Sequence, residues 1–143
     1  MHKNSGFTFI EMMAVIGIIA VVAAIVLPNV VAWLPRYRLN SGAEEIQSTL
    51  QLARLGAIKE NANATVTFDT ANHSFLAAIE GRTIRNGKMP AGIRIDSVTN
   101  PASQVTFDGR GLANGSTGNI LVKNTEGGEK IISVNIVGTT SIQ

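Results

Sequence analysis

The sequence predicts an α+β protein in which one long amino-terminal helix, apolar at its start, packs on a small antiparallel β-sheet head. Three observations lead to this fold class. An apolar run begins at Phe7 and continues to Leu27. Apolar residues then recur at helical spacing between Leu39 and Ala57. Beyond residue 61 the spacing changes to the period of two that is typical of strands. The 143 residues therefore hold one anchor segment and one small domain.

The first 27 residues combine a polar leader, MHKNSG, with an apolar run. The run is long enough to span a bilayer, which takes about 20 helical residues. One charge interrupts it, at Glu11, and a carboxylate costs roughly 2.5–3.5 kcal/mol at the bilayer centre. A secretory signal peptide fits poorly, because no small-residue cleavage site follows the run. A plain single-pass anchor fits the length but gives Glu11 no role.

The leader, its final glycine and the acidic residue resemble the class III signal of type IV pilins and type II secretion pseudopilins. The resemblance implies that a prepilin peptidase cleaves between Gly6 and Phe7 and methylates the new amino terminus at Phe7. It also implies that Glu11 serves assembly. The implied partners are this peptidase, other pilin or pseudopilin subunits, the inner-membrane assembly platform and membrane lipid. The implied location is the bacterial inner membrane, with a single pass and the carboxy-terminal head in the periplasm, followed by assembly into a filament.

These patterns divide the chain into four segments. Together with the resemblance they imply that residues 1–6 are the leader that the peptidase removes and that residues 7–34 are the transmembrane and filament-core helix. Residues 35–60 are an amphipathic helix packed on the head, and residues 61–143 are the β-rich globular head. Because the head is small, burial of the amphipathic helix is expected to supply much of its core.

The amphipathic helix is predicted from six apolar residues at alternating spacings of four and three. They are Leu39, Ala43, Ile46, Leu50, Ala53 and Ala57. Ser41 and Glu44 have the spacing of a capping box, which allows a helix restart at Ser41. Pro28 and Pro35 each remove a backbone donor and favour bends. The tract Asn61–Asn63 is predicted to end the helix.

Six strands are predicted in the head from runs rich in Val, Ile, Thr and Phe. They are Thr65–Asp69, Ser74–Ile79, Gly92–Val98, Gln104–Asp108, Asn119–Lys123 and Lys130–Val137. Turn signals separate them, namely Asn86-Gly87, Asn100-Pro101, Gly109-Arg110-Gly111, Asn114-Gly115 and Gly127-Gly128. The final two predicted strands form a hairpin through NTEGGE, and residues 109–119 form a loop.

The segment FDGRGLANGSTGNILV and the hairpin after it, from Val105 to Val137, resemble the GspH/FimT branch of the pilin superfamily. In that branch an apolar strand leads into a glycine-arginine loop and then a pair of strands, so Arg110 matches the loop arginine. Members include the minor pseudopilin H of type II secretion and minor type IV pilins, some of which bind DNA.

Enzymatic activity is not expected, and no catalytic residue is assigned. Cysteine is absent, so no thiolate nucleophile or Cys metal site exists. His73 is the one histidine outside the leader, and we interpret it as a solvated turn residue. Asp108, Glu126 and Glu129 are too few for a calcium site, which takes six to eight oxygens. No metal and no cofactor are predicted.

A possible DNA or partner contact comes from Arg82, Arg85, Lys88 and Arg94, which are close in sequence. Lys and Arg side chains supply most non-specific affinity for nucleic acid. An ordinary solvated basic face is the favoured interpretation, because the formal net charge is only +2 and falls to +1 without Lys3. Arg110 has three possible roles: binding DNA, contacting a partner subunit or bonding within its own loop.

The expected function is structural. The chain is predicted to be a minor pseudopilin of a type II secretion system, at or near the tip of a periplasmic pseudopilus that drives protein export. The first alternative is a minor type IV pilin for adhesion, motility or DNA uptake, and only there is DNA a partner. The second is a membrane-anchored periplasmic domain that does not polymerise.

Overall fold

The computed structural model describes residues 7–100, 102–113, 115 and 117–143, and the side chains of residues 27–32 are outside this description. The predicted leader with Gly6, and one residue of each of the turns Asn100-Pro101 and Asn114-Gly115, therefore lie outside the described residues. The chain divides into two compact units, residues 1–34 and residues 35–143.

A single helix, α1, runs over Phe9–Glu60. The helical assignment continues through Pro28, Pro35 and Ser41, so the capping-box spacing at Ser41 starts no new helix. Ser41 and Glu44 are exposed, whereas the stripe around them is buried, and this burial favours an unbroken helix over a local cap.

The helix ends where the sequence predicted. Asn61 takes the left-handed conformation, with φ of 47°. Its amide donates to the carbonyl of Ile58 at 3.3 Å, and the amide of Ala62 donates to the carbonyl of Ala57 at 3.0 Å. This pair of bonds is a Schellman motif, in which Asn is accepted at the left-handed position.

Eight strands follow the helix: β1 Ala64–Asp69, β2 Ser74–Ile79, β3 Arg82–Lys88, β4 Ile93–Val98, β5 Gln104–Phe107, β6 Gly118–Asn124, β7 Glu129–Val134 and β8 Thr140–Ile142. They form two four-stranded antiparallel sheets. The first has the order β3-β2-β1-β5 and the second the order β4-β6-β7-β8. The predicted α+β class is confirmed, and its head consists of two sheets.

Strand β3 contradicts the turn predicted at Asn86-Gly87. Both residues lie inside the strand, and Gly87 is paired with Phe75 of β2. A Cβ at position 87 would collide with the ring of Phe75. Glycine is therefore needed here for close packing between strands, and not for a turn. The strand was not predicted because it is a largely exposed edge strand, whose polar and basic residues lack the apolar alternation of a buried strand.

The last predicted strand, Lys130–Val137, is correct only as far as Val134. Strand β7 ends at Val134, and a turn over residues 135–138 reverses the chain into β8. The Oδ1 atom of Asn135 accepts a hydrogen bond from the amide of Thr139 at 2.9 Å. Asn at this place supplies the turn with a side-chain acceptor, which a period-two pattern does not reveal.

The core is one apolar cluster that joins α1 to both sheets. All six residues of the predicted stripe are buried, and Ala43, Ile46, Leu50, Ala53 and Ala57 have 0% exposure. Phe75 and Phe107 of the first sheet, and Ile95 and Ile120 of the second, are among the largest fully buried side chains. Such burial contributes about 25 cal/mol per Å² of apolar surface, so the helix holds the two sheets together.

We expect residues 36–143 to fold as a soluble monomer in which Leu50→Ala lowers the free energy of unfolding by about 2–5 kcal/mol. The matched control is Leu52→Ala, since Leu52 is two residues away but 42% exposed. Denaturant titration of the three proteins measures the effect. Equal stability of Leu50→Ala and Leu52→Ala would show that the stripe does not carry the core.

Candidate functional site

The amino-terminal end of α1 is closed by a capping box that joins Thr8 and Glu11. The Oε2 atom of Glu11 accepts hydrogen bonds from the backbone amide and the hydroxyl of Thr8, each at 2.8 Å. The hydroxyl of Thr8 in turn accepts from the backbone amide of Glu11 at 3.3 Å. Sequence analysis assigned no cap here, although Thr-x-x-Glu before an apolar run is its signature. Glu11 is thereby held one turn from Phe7.

The segment that begins within this cap is a candidate membrane span. Residues Phe9–Val26 have a mean hydropathy of 2.7, and 0% of this window is buried inside the protein. Phe7 and Phe9 are 80% and 81% exposed. An apolar surface of this extent needs lipid or other helices to cover it.

The basic residues of the head are separated onto two sheets. The Nη2 atom of Arg82 on β3 donates to both carboxylate oxygens of Glu60, at 2.6 and 2.8 Å. Arg85 on the same strand donates to the hydroxyl of Ser48 at 3.3 Å. Both arginines therefore bond to α1, Arg82 at its last residue and Arg85 about three turns earlier. Their partners Glu60 and Ser48 are distant in sequence, so the spacing of the basic residues did not predict these bonds.

Arg94 lies on β4, in the other sheet, and shares a carboxylate with a second cation. It approaches Asp96 at 3.6 Å, while Lys123 contacts the other oxygen of Asp96 at 3.0 Å. The four basic residues grouped by sequence are thus divided between β3 and β4. The structure does not place them on one sheet as a continuous basic stripe of the kind that follows a nucleic-acid backbone.

Arg110 serves the hydrogen bonding of its own loop. Its Nη2 and Nε atoms donate to Asp108 at 3.0 and 3.2 Å, and the backbone amides of Arg110 and Leu112 donate to the other carboxylate oxygen. The Leu112 amide, with added help from the Arg110 side chain, lowers the pKa of the Asp108 carboxyl. These bonds therefore persist above the ordinary carboxyl pKa and are lost as the pH falls through the lowered one.

Close contact with the end of α1 requires a glycine at position 109, where the Arg110 loop begins. A Cβ at this position would come within 3.0 Å of the backbone of Asn61, which closes the helix end. The loop can rest against the helix cap only when that side chain is absent.

His73 corrects the expectation of a solvated turn residue. It occupies the β1–β2 turn with φ of 51°, but it is only partly exposed, and its Nδ1 atom is buried without a hydrogen-bond partner among the described residues. Its carbonyl accepts from the amide of Met89 at 2.9 Å. Asp69 at the end of β1 has a lowered pKa, chiefly because the Asn72 side chain donates to its carboxylate. The position is a packed corner where sequence analysis expected an open turn.

Metal ligands do not cluster in the described part of the chain, where no group of three His, Cys, Asp or Glu side chains could hold an ion. Asp108 is committed to its loop, and Glu129 approaches Lys123 at 3.9 Å. The absence of a metal, a cofactor and a catalytic residue stays a prediction.

Two family models match the chain. The model described as type II transport protein GspH matches residues 42–138, and the prokaryotic N-terminal methylation motif matches residues 1–27. Among curated proteins none is similar enough in sequence to count as a match.

Solved structures of two bacterial proteins share the fold. The type IV minor pilin FimU of Pseudomonas aeruginosa has 18% identity and a TM-score of 0.64, over 76% of this chain and 90% of that chain. The minor pseudopilin EpsH of the Vibrio cholerae type 2 secretion system has 12% identity and a TM-score of 0.60, over 74% of this chain and 96% of that chain.

These likenesses agree with the geometry of both compact units. The apolar helix with its methylation motif is that of a membrane-anchored pilin-like protein, of a kind processed by prepilin peptidase and assembled with similar subunits. The head, with one helix on two antiparallel sheets, has the fold of the minor pilin FimU and the minor pseudopilin EpsH. The chain belongs to the GspH family of the type IV pilin-like superfamily.

Proposed function

We propose that the protein is a minor pseudopilin of a type II secretion system, assembled at or near the tip of a periplasmic pseudopilus that drives protein export. The observation that carries this proposal is the match of the GspH family model to residues 42–138, which is most of the head. The head then contacts other subunits in the periplasm, while the apolar helix is held first by the inner membrane and later by the filament core.

A minor type IV pilin is the alternative that a specific observation favours, namely the likeness to FimU. Its DNA-binding form receives less support, because Arg82, Arg94 and Arg110 each approach a carboxylate of this chain within 4 Å. A non-polymerising anchored domain receives the least support, since it assigns no purpose to the methylation motif over residues 1–27.

Deletion of the gene separates the proposal from its alternative. We expect proteins exported by the secretion system to accumulate in the periplasm of the deletion strain, while surface pili keep their wild-type abundance. Quantitative proteomics of medium, periplasm and sheared pili measures both. Loss of pili with unchanged export would favour the minor pilin, and restoration by the wild-type gene is the control.

Gly6→Val should leave an uncleaved precursor in the membrane, because the peptidase of this family cuts after a glycine whose missing side chain suits a tight subsite. Gly17→Val is the control, since a Cβ at Gly17 meets no atom within 4 Å, and we expect it to be processed normally. Intact-mass analysis measures processing. The wild-type chain should begin at methylated Phe7, and retention of residues 1–6 would contradict the assignment.

Glu11→Ala should insert and be cleaved but fail to enter the filament. Removing the carboxylate makes insertion easier, so the anchor itself is not impaired. In a filament core the methylated amine of a neighbouring Phe7 would lose its partner, and leaving one member of a buried ion pair alone costs about 3–5 kcal/mol. Glu11→Gln should fail as well, because it lacks the charge. Co-purification of the filament complex from membranes measures entry.

Thr8→Val separates this role from helix capping. It removes the hydroxyl that donates to Glu11 at 2.8 Å and accepts from its amide, but it leaves the carboxylate in place. If pairing between subunits is the role of Glu11, Thr8→Val enters the complex far better than Glu11→Ala. If the two variants enter the filament complex equally poorly, helix capping alone explains the effect of Glu11.

A further inference from the structure

Four exposed apolar residues lie on α1 and on the β7–β8 turn, two segments of the head that approach each other near Gly138, and we call these four residues the apolar ridge. It consists of Leu55 and Ile58 on α1, and Ile136 and Val137 in the β7–β8 turn, with exposures of 64%, 44%, 61% and 51%. Central positions of turns usually hold Gly, Asn, Asp, Pro or Ser. Two adjacent β-branched apolar residues there break the local rule without any gain in the core, which marks a surface for binding.

The two parts of the ridge meet at a pair of glycines. Leu55 borders a groove of about 260 Å³ whose other wall is formed by Gly138 and the two threonines after it. Ile58 lies against Gly111. A Cβ built on Gly111 would come within 2.6 Å of the Cδ1 atom of Ile58. A Cβ on Gly138 would collide with the carbonyl oxygen of Gly111, so helix, loop and turn are in contact.

Arg54 fixes this junction. The Nε atom of Arg54 donates to the carbonyl of Gly111 at 3.0 Å. A Cβ built on Gly138 would lie only 2.7 Å from this Nε atom. Both glycines have positive φ, 77° and 74°. The arginine side chain therefore passes between two backbone segments that only glycine allows so close.

The turn that carries Ile136 and Val137 is held by its backbone. The amide of Gly138 donates to the carbonyl of Asn135 at 2.9 Å, and the amide of Asn135 donates to Thr139 at 3.1 Å. The carbonyl of Ile136 accepts from the amide of Ala113 at 3.0 Å. A surface fixed before binding loses little conformational entropy when a partner docks.

The charges around the ridge are mainly positive. Arg54 lines the groove and Lys59 is exposed one turn beyond Leu55. The nearby carboxylates of Asp108 and Glu60 are bound by Arg110 and Arg82. A partner that complements this surface carries an apolar patch with carboxylates at its rim.

We propose that the apolar ridge docks a different subunit of the same filament, through an apolar patch rimmed by Asp and Glu. This inference rests on the proposed function, because it requires the chain to assemble. A second copy of this chain fits less well, since a symmetric contact would bring the same cations together. A lipid surface also fits less well, since the ridge has none of the aromatic side chains that anchor proteins at headgroups.

The test uses the full chain in its own cells, with the filament complex purified from solubilised membranes. The variant Ile136→Ser/Val137→Ser should lower the recovered filament subunits about tenfold, as truncation of an interface hot spot does. The matched control is Leu76→Ser, which removes a 39% exposed apolar side chain from β2 and should keep the wild-type recovery. Lys59→Glu should lower recovery, whereas Lys88→Glu on the exposed edge strand should not.

Two measurements keep the outcome clear. Processing at Phe7 and the melting temperature must equal those of the wild type, because the turn is held by backbone bonds that the serines retain. If wild-type protein is absent from every filament complex, the proposed function fails. If wild-type protein enters and Ile136→Ser/Val137→Ser enters equally well, the ridge inference alone fails.

A photo-crosslinking amino acid at position 137 identifies the occupant, with the exposed position 71 as control. An adduct at position 137, absent at position 71, with an acidic and apolar peptide of another filament subunit supports the proposal. An adduct with a second copy, with lipid or with nothing overturns it.

Discussion

Each sheet of the head has an apolar face that needs cover, and one stripe of α1 covers both. Ile46 and Leu50 on this helix are fully buried, as are Phe107 of the first sheet and Ile120 of the second. All four belong to a single cluster. Because a head of this size buries a limited fraction of its surface, the loss of this contact would leave two separate four-stranded sheets. The helix is therefore part of the head as well as the continuation of the anchor segment.

The loops that present the apolar ridge depend on the same helix. Arg54 follows the buried Ala53 and donates a hydrogen bond to Gly111 in the β5–β6 loop. The same loop contacts the helix cap at Asn61 through Gly109, where a side chain would collide with the cap. Residues on the buried side of α1 hold the sheets, and those next to them hold the loops. The described part of the β5–β6 loop near Gly111 is thus held by the same helix whose buried side forms the core.

The amino-terminal site combines a helix cap with the residue that we propose for assembly. The carboxylate of Glu11 accepts two bonds from Thr8, so the end of its own helix orients it. No part of the apolar window Phe9–Val26 is buried inside the protein. A membrane and a bundle of similar helices are two surroundings that would cover this surface.

The sequence by itself determined the features that local spacing encodes: the apolar anchor, the stripe from Leu39 to Ala57, the helix end at Asn61 and the family. Tertiary structure decided what depends on residues distant in the chain. Gly87 suggests a turn until Phe75 is placed against it, and Arg82 suggests a free cation until Glu60 is placed beside it. His73 was expected to be solvated for the same reason. Periodicity records which face of a segment is buried, whereas strand partners and ion pairs arise only when the segments meet.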